Sequence, residues 1–243
     1  NFSDTGAAET ITVSAGFSSN LAIDLDADTN LNTVTASTYT GNLSVTALAT
    51  DIDGAAKTVL TGGSGTDTLT VTSTGDDIAI IMTGITNFEN IVLVDDGDAT
   101  ADTLSVSVGD ANVADGATLT IDGSALTTDD ITVDLSAEAN GLNVVKGGAG
   151  VDNITGSASD LGDTLEGNAG DDNFTFATAN LTAADTVSGG DGTDELILSD
   201  ASTVVDADFT NFTSVETISH GNLNMTLTLG ELAQAAGVVT VTN

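Results

Sequence analysis

Residues 147–197 read GGAGVDNITGSASDLGDTLEGNAGDDNFTFATANLTAADTVSGGDGTDELI, and one nine-residue pattern recurs within them. Written G-G-x-G-x-D-x-U-x, with U a large apolar residue, it fits 147–155 (GGAGVDNIT) and 189–197 (GGDGTDELI) and nearly fits 167–175 (GNAGDDNFT), where Asn168 replaces the second glycine. A further copy, GGSGTDTLT, stands apart at 62–70, and a degenerate one, GSASDLGDTL, fills 156–165. Each full copy sets a glycine turn ahead of an Asp. Two residues later an apolar side chain (Leu69, Ile154, Phe174, Leu196) opens a short strand and points inward. Repeated units of this kind bury their apolar faces only by stacking, so the pattern predicts a coil on coil architecture.

The text around these turns agrees. TLTVT (68–72) and TLTID (118–122) alternate apolar and polar residues, as half-buried strands do. Only 229–236 (LGELAQAA) reads as a helical turn or two. Two echoes span the chain. The turn at 62–69 leads to Thr86-Asn87-Phe88-Glu89-Asn90-Ile91, and the turn at 189–196 leads to Thr210-Asn211-Phe212-Thr213-Ser214-Val215-Glu216. LSVTALATDIDG (43–54) and ITVDLSAEANG (131–141) likewise each run into a GGxGxD turn. A sandwich has no reason to repeat this way. Phe88 and Phe212 occupy matching frames and are expected in the core, and ETITVS (9–14) and VVTVTN (238–243) read as strands without a polar cap.

Composition narrows the partners. The 243 residues carry 37 Asp and Glu against Lys57 and Lys146, a formal charge of −35, with His220 the lone histidine and no arginine. Carboxylates at that density oppose compaction unless counter-ions sit within the fold. Phosphate backbones and anionic lipid find nothing here to neutralise them, which argues against nucleic acid and lipid headgroups as partners. No apolar run approaches the length of a membrane span, so no membrane insertion is expected. With 40% apolar residues in strand alternation, the chain is not compositionally disordered. Cysteine is absent, so metal ions are the remaining staple for the fold. The first residue is Asn1, which leads us to expect a processed product or an excised segment.

Calcium is the ion these turns suit. It takes six to eight oxygens, carboxylate or carbonyl, at about 2.3–2.6 Å. Glycine lets a backbone curl until carbonyls converge, and the Asp adds charge. The expected ligands are Gly63, Gly65 and Asp67 in the first turn, and Gly148, Gly150 and Asp152 in the second. Gly170 and Asp172, then Gly190, Gly192 and Asp194, complete the set, with Asp163 from the degenerate copy; several ions would be held. In a roll with two turns per coil, 147–152 should face 167–172, with Asp152 and Asp172 sharing an ion. The turn at 189–194 should then stack on the degenerate one, on the opposite edge. For 62–67, Asp51 and Asp53, or Asp95, Asp96 and Asp98, are the candidates to complete the cage. The plain alternative is glycine turns with solvated aspartates.

Catalytic readings lack residues. Lyase chemistry needs a cation to stabilise an enolate-like charge, and the two lysines adjoin turns. A Ser-His-Asp arrangement would need His220, which has no nucleophile-elbow context. No catalytic residue is named, and a non-enzymatic role is expected.

The nonapeptides resemble those of RTX proteins. GGDGTDELIL followed by FTNFTSVETI (189–218), and TLTIDGSALTTDDITVDLS (118–136) ahead of a GGAGVD turn, are similar to bacterial surface-layer and large cell-surface members. The resemblance implies a right-handed parallel β-solenoid that binds many calcium ions, leaves the cell by type I secretion, and folds on meeting external calcium. It implies self-association into a surface sheet or filament, with a cell-surface polysaccharide as a further partner. An adhesin spacer and the calcium-folding tail of a secreted enzyme are the alternatives. Along the chain we expect an N-terminal β segment (1–61), a first turn with its solenoid repeat (62–145), the tandem roll (146–199) and a C-terminal repeat (200–243), forming one continuous solenoid.

Overall fold

The computed structural model describes residues 9–17, 19–25, 31–52, 59–75, 77–98, 100–221 and 224–243. Among them the protein is all-β apart from one short helix and two 3-10 turns, and its strands stack as a β-solenoid of about nine turns. Two long sheets run along it. One has nine strands, from Leu21–Asp24 to Asn211–Thr213; the other has eight, from Ile78–Ile81 to Thr240–Thr242. A third sheet of four strands ends at Ile85–Thr86. The described strands alternate between the four- and nine-stranded sheets up to Thr72, and the eight-stranded sheet begins at Ile78. Thr203–Val204 pairs with Thr226–Leu227 in a small two-stranded sheet near the far end.

The described strand pairings are parallel, and each strand's partner lies one coil further along the chain. Parallel stacking in register sets like on like, and the core is built from that. In the nine-stranded sheet Leu69, Ile91, Ile121, Val145, Leu165, Val187 and Phe212 align in one inward column. In the eight-stranded sheet Val106, Val133, Ile154, Phe174, Leu196 and Ile218 form another. All these side chains are buried. Burying each contributes about 1.5–3 kcal/mol, so the columns are the main source of cohesion between coils. The apolar U residues of the nonapeptides sit in these columns, and Phe88 is buried too, as expected.

The helix spans Glu231–Ala236, inside the predicted 229–236. Ala233 and Ala236 are buried, and Val215 N–H donates to the Ala236 carbonyl (3.0 Å). The helix packs on Asn211–Thr213 and covers the end of the nine-stranded sheet. The expected strands at the two ends are present as edge strands, Glu9–Thr12 and Thr240–Thr242, and the helix covers the nine-stranded sheet alone. Asp206 fixes the helix start, accepting from the N–H groups of Gly230 (2.7 Å) and Ala233 (3.0 Å). Beside it Thr240–Thr242 forms the outer strand of the eight-stranded sheet, with Val239 and Val241 exposed.

Candidate metal centre

The turns 147–152, 167–172 and 189–194 each carry the chain from the nine-stranded to the eight-stranded sheet. They therefore stack directly on one another, one per coil, along a single edge. This corrects the expected two turns per coil, in which 189–194 would have sat over the degenerate copy. The coils close instead with one nonapeptide turn and one longer loop. The degenerate 156–162 and the following 177–185 occupy the opposite edge, where Asp163 donates its N–H to Asp185 Oδ1 (2.8 Å).

Along the nonapeptide edge the aspartates form a ladder. Ile131 N–H donates to Asp152 Oδ1 (2.8 Å), Asp152 N–H to Asp172 Oδ1 (2.8 Å), and Asp172 N–H to Asp194 Oδ1 (2.9 Å). Asp194 N–H ends the series on Glu216 Oε2 (2.9 Å). Each carboxylate thus satisfies a strand-entry N–H on the preceding coil that the ladder of the sheet does not reach. Glycine permits the stacking. A Cβ on Gly170 would collide with the Gly150 carbonyl, and one on Gly192 with the Gly170 carbonyl. Both residues also hold left-handed backbone, at φ 131° and 140°.

The second carboxylate oxygens differ between turns. Asp152 Oδ2 accepts Gly148 N–H (2.7 Å). At the equivalent position Asn168 and Gly190 have φ of 77° and 120°, and Asp172 Oδ2 and Asp194 Oδ2 are buried with no partner. Asn168, which replaces the motif glycine, sends its Nδ2 to the Gly147 carbonyl (2.7 Å). The first glycine of each turn is a cradle that a Cβ would fill. At Gly167 it would meet Asp172 Oδ2 and the Gly189 carbonyl; at Gly189, Asp194 Oδ2 and the Ser214 carbonyl. A carboxylate oxygen and a carbonyl oxygen from successive coils thus converge on one point. That donor set fits a hard cation such as calcium. No group of three His, Cys, Asp or Glu side chains clusters among the described residues, so an ion here draws on backbone carbonyls.

Electrostatics point the same way. Burial pushes Asp172 up to about 7 and Asp152 up to about 6, against the lowering effect of their N–H donors. Burial likewise raises Asp194, and raises Asp185 on the opposite edge. Neighbouring carboxylates add to the rise at all four. A buried carboxylate in this state demands a proton or a cation.

The isolated turn at 62–67 is placed differently. It joins the four-stranded to the nine-stranded sheet. Asp67 Oδ1 accepts Leu43 N–H (2.7 Å), its Oδ2 accepts Gly63 N–H, and its own N–H donates to Glu89 Oε2 (2.7 Å). A Cβ on Gly65 would strike the Gly41 carbonyl. Both Asp67 oxygens are engaged, as both Asp152 oxygens are, so the turn clamps a corner, and at Gly62 Asp67 Oδ2 and the Asn87 carbonyl meet as in the other turns. Of the acids expected to complete it, Asp95, Asp96 and Asp98 are engaged at other positions. Asp95 holds Thr127 and Thr128 on the next coil and is kept well below the usual carboxylate range by those bonds. Asp96 and Asp98 flank Gly75. Asp51 accepts Leu48 N–H (3.2 Å), and Asp53 lies outside the described residues.

Glu89, Asp185 and Glu216 are the acids that sequence reasoning missed. Each follows its partner (Asp67, Asp163, Asp194) by 22 residues, as 89 − 67, 185 − 163 and 216 − 194 show. That spacing is one coil, and it was the available signal. Replacing Glu216 by Ala strands the buried Asp194 N–H, so urea denaturation in calcium should show a loss of about 1–3 kcal/mol. The comparisons with known proteins add no name to this geometry: no protein-family model, no curated protein and no solved structure matches the chain.

Proposed function

We propose that this chain is a calcium-dependent structural protein of a bacterial cell surface, self-assembling into a surface layer or an extracellular filament. The observation that carries it is the pair of buried, partnerless oxygens, Asp172 Oδ2 and Asp194 Oδ2, each facing a carbonyl from the next coil. A chain of charge −35 without cysteine gains cohesion if cations occupy these points. The nonapeptides, similar to those of RTX proteins, support calcium as the ion and folding outside the cell after type I secretion. Asp152, Asp172 and Asp194 supply charge, and the carbonyls of Gly189 (beside Asp172) and Ser214 (beside Asp194) add to the donor set. The turn at 62–67 contributes its clamp. No helix among the described residues is long and apolar enough to cross a membrane.

The continuous apolar columns suit a structural role. Assembly into a lattice is tested by electron microscopy of the purified chain with calcium. An ordered sheet or filament is the expected outcome. Isolated rods at every protein and calcium concentration would reject self-assembly and leave the adhesin spacer, which the continuous columns also suit.

A further inference from the structure

We propose that a second, chemically distinct cation site lies on the edge opposite the nonapeptide turns, held by Glu138, Asn143 and Asp163. A closed circuit of hydrogen bonds outlines it. Glu138 Oε1 accepts the N–H groups of Asn140 (2.7 Å) and Gly141 (2.6 Å). Two residues on, Asn143 Nδ2 donates to Asp163 Oδ1 (3.0 Å). Asp163 in turn accepts from the N–H (2.7 Å) and Oγ (2.9 Å) of Ser157. Ala158 N–H closes the ring on the Glu138 carbonyl (2.8 Å).

Three acceptor oxygens on the residues of this ring are left over. Glu138 Oε2, Asn143 Oδ1 and Asn140 Oδ1 are buried and have no donor. Glu138 is 0% exposed, Asn143 1% and Asp163 2%, so solvent does not supply one. Asn143 is also out of place as a core residue. Its register partner one coil back is the buried Leu119, and its partner one coil on is the buried Asp163, so the inward column turns from apolar to polar at Asn143. A water could donate to two of the three oxygens but would leave two buried carboxylates uncompensated. A hard divalent cation satisfies the oxygens and the charge together. The amide and the two carboxylates, with no nonapeptide glycine, give a site whose occupancy is independent of the turns at 147–194.

Bound calcium per chain, counted by native mass spectrometry and by elemental analysis after dialysis, tests the site. Glu138→Gln and Asn143→Leu should each hold one calcium fewer than the unaltered chain while keeping its far-UV spectrum in calcium. Asp172→Asn should lose calcium at the other edge, and the losses should add in the double variant Glu138→Gln/Asp172→Asn. A drop with Glu138→Gln and none with Asp172→Asn would sink the turn reading alone. An unchanged count in both Glu138→Gln and Asn143→Leu overturns this proposal. Asn143→Asp guards against simple misfolding. With a cation present it adds a ligand oxygen, so the count holds and calcium binds about tenfold tighter. With none it buries a third carboxylate beside Asp163, and failure to fold at saturating calcium overturns the proposal.

Discussion

Removing calcium should unfold the chain. With excess EGTA at pH 8 the far-UV β signal should be lost cooperatively and return on adding calcium. An ion at a hundred times its Kd contributes about 2.7 kcal/mol, so two or three supply about 5–8 kcal/mol. A whole domain has only about 5–15 kcal/mol in hand. The chelated state also meets the repulsion of 37 acids against two lysines. Acid should partly replace the ion. Asp152 and Asp172 are raised in the fold to about 6 and about 7, above an unfolded value near 3.9. The folded chain then binds more protons than the unfolded one. Stability from these groups is full below about pH 4 and fades as pH rises through 6 and 7. In EGTA, β signal should therefore recover between pH 8 and pH 5. In calcium the same acidification should weaken the fold, because protons compete for the ligand oxygens. A β signal indifferent to EGTA at pH 8 sinks the calcium reading.

How much of this was legible beforehand depends on the length scale. The nonapeptides announce a turn and an inward residue within nine positions, and the structure puts Leu69, Ile154, Phe174 and Leu196 at 0–1% exposure. Which turn stacks on which is set by the length of the intervening loop. That length hides whether 156–165 is a turn of the same edge or the return path. Because the return path won, Asp194 lies over Asp172, and Asp163 finds Asp185. The echo between 62–91 and 189–216 did encode something real. Asp67 and Asp194 each donate an N–H to a Glu one coil on, and the chain is left-handed at both Asn87 (φ 57°) and Ser214 (φ 52°). The echo could not show that the two copies turn different corners. That follows from the sheet order: 62–67 joins the four-stranded to the nine-stranded sheet, which the four-stranded sheet's end at Thr86 rules out for any later turn. Glu138 and Asn143 were illegible for another reason: a buried acceptor without a donor is a property of packing, and no motif marks it.

The substitution Asp172→Asn separates a structural carboxylate from a ligand by reversing sign with the medium. The amide keeps an oxygen for Asp152 N–H, the bond that now measures 2.8 Å. Its nitrogen then takes the place of the buried, partnerless Oδ2. In EGTA the change removes a charge that burial opposes and that Asp152 and Asp194 repel. The variant should be the more stable one there, and the pH at which the chelated chain refolds should move upward. In calcium the same change takes a charged ligand from a point shared with the Gly189 carbonyl. A buried charge left undercompensated costs on the order of 3 kcal/mol, and calcium affinity should fall at least about tenfold, the equivalent of about 1.4 kcal/mol. Urea midpoints in calcium at pH 8, beside pH titrations in EGTA, read both arms. If the aspartate were only a cap for the Asp152 N–H, the asparagine would serve nearly as well in either medium. Shifts of the same sign in both would then strip Asp172 of its ligand role.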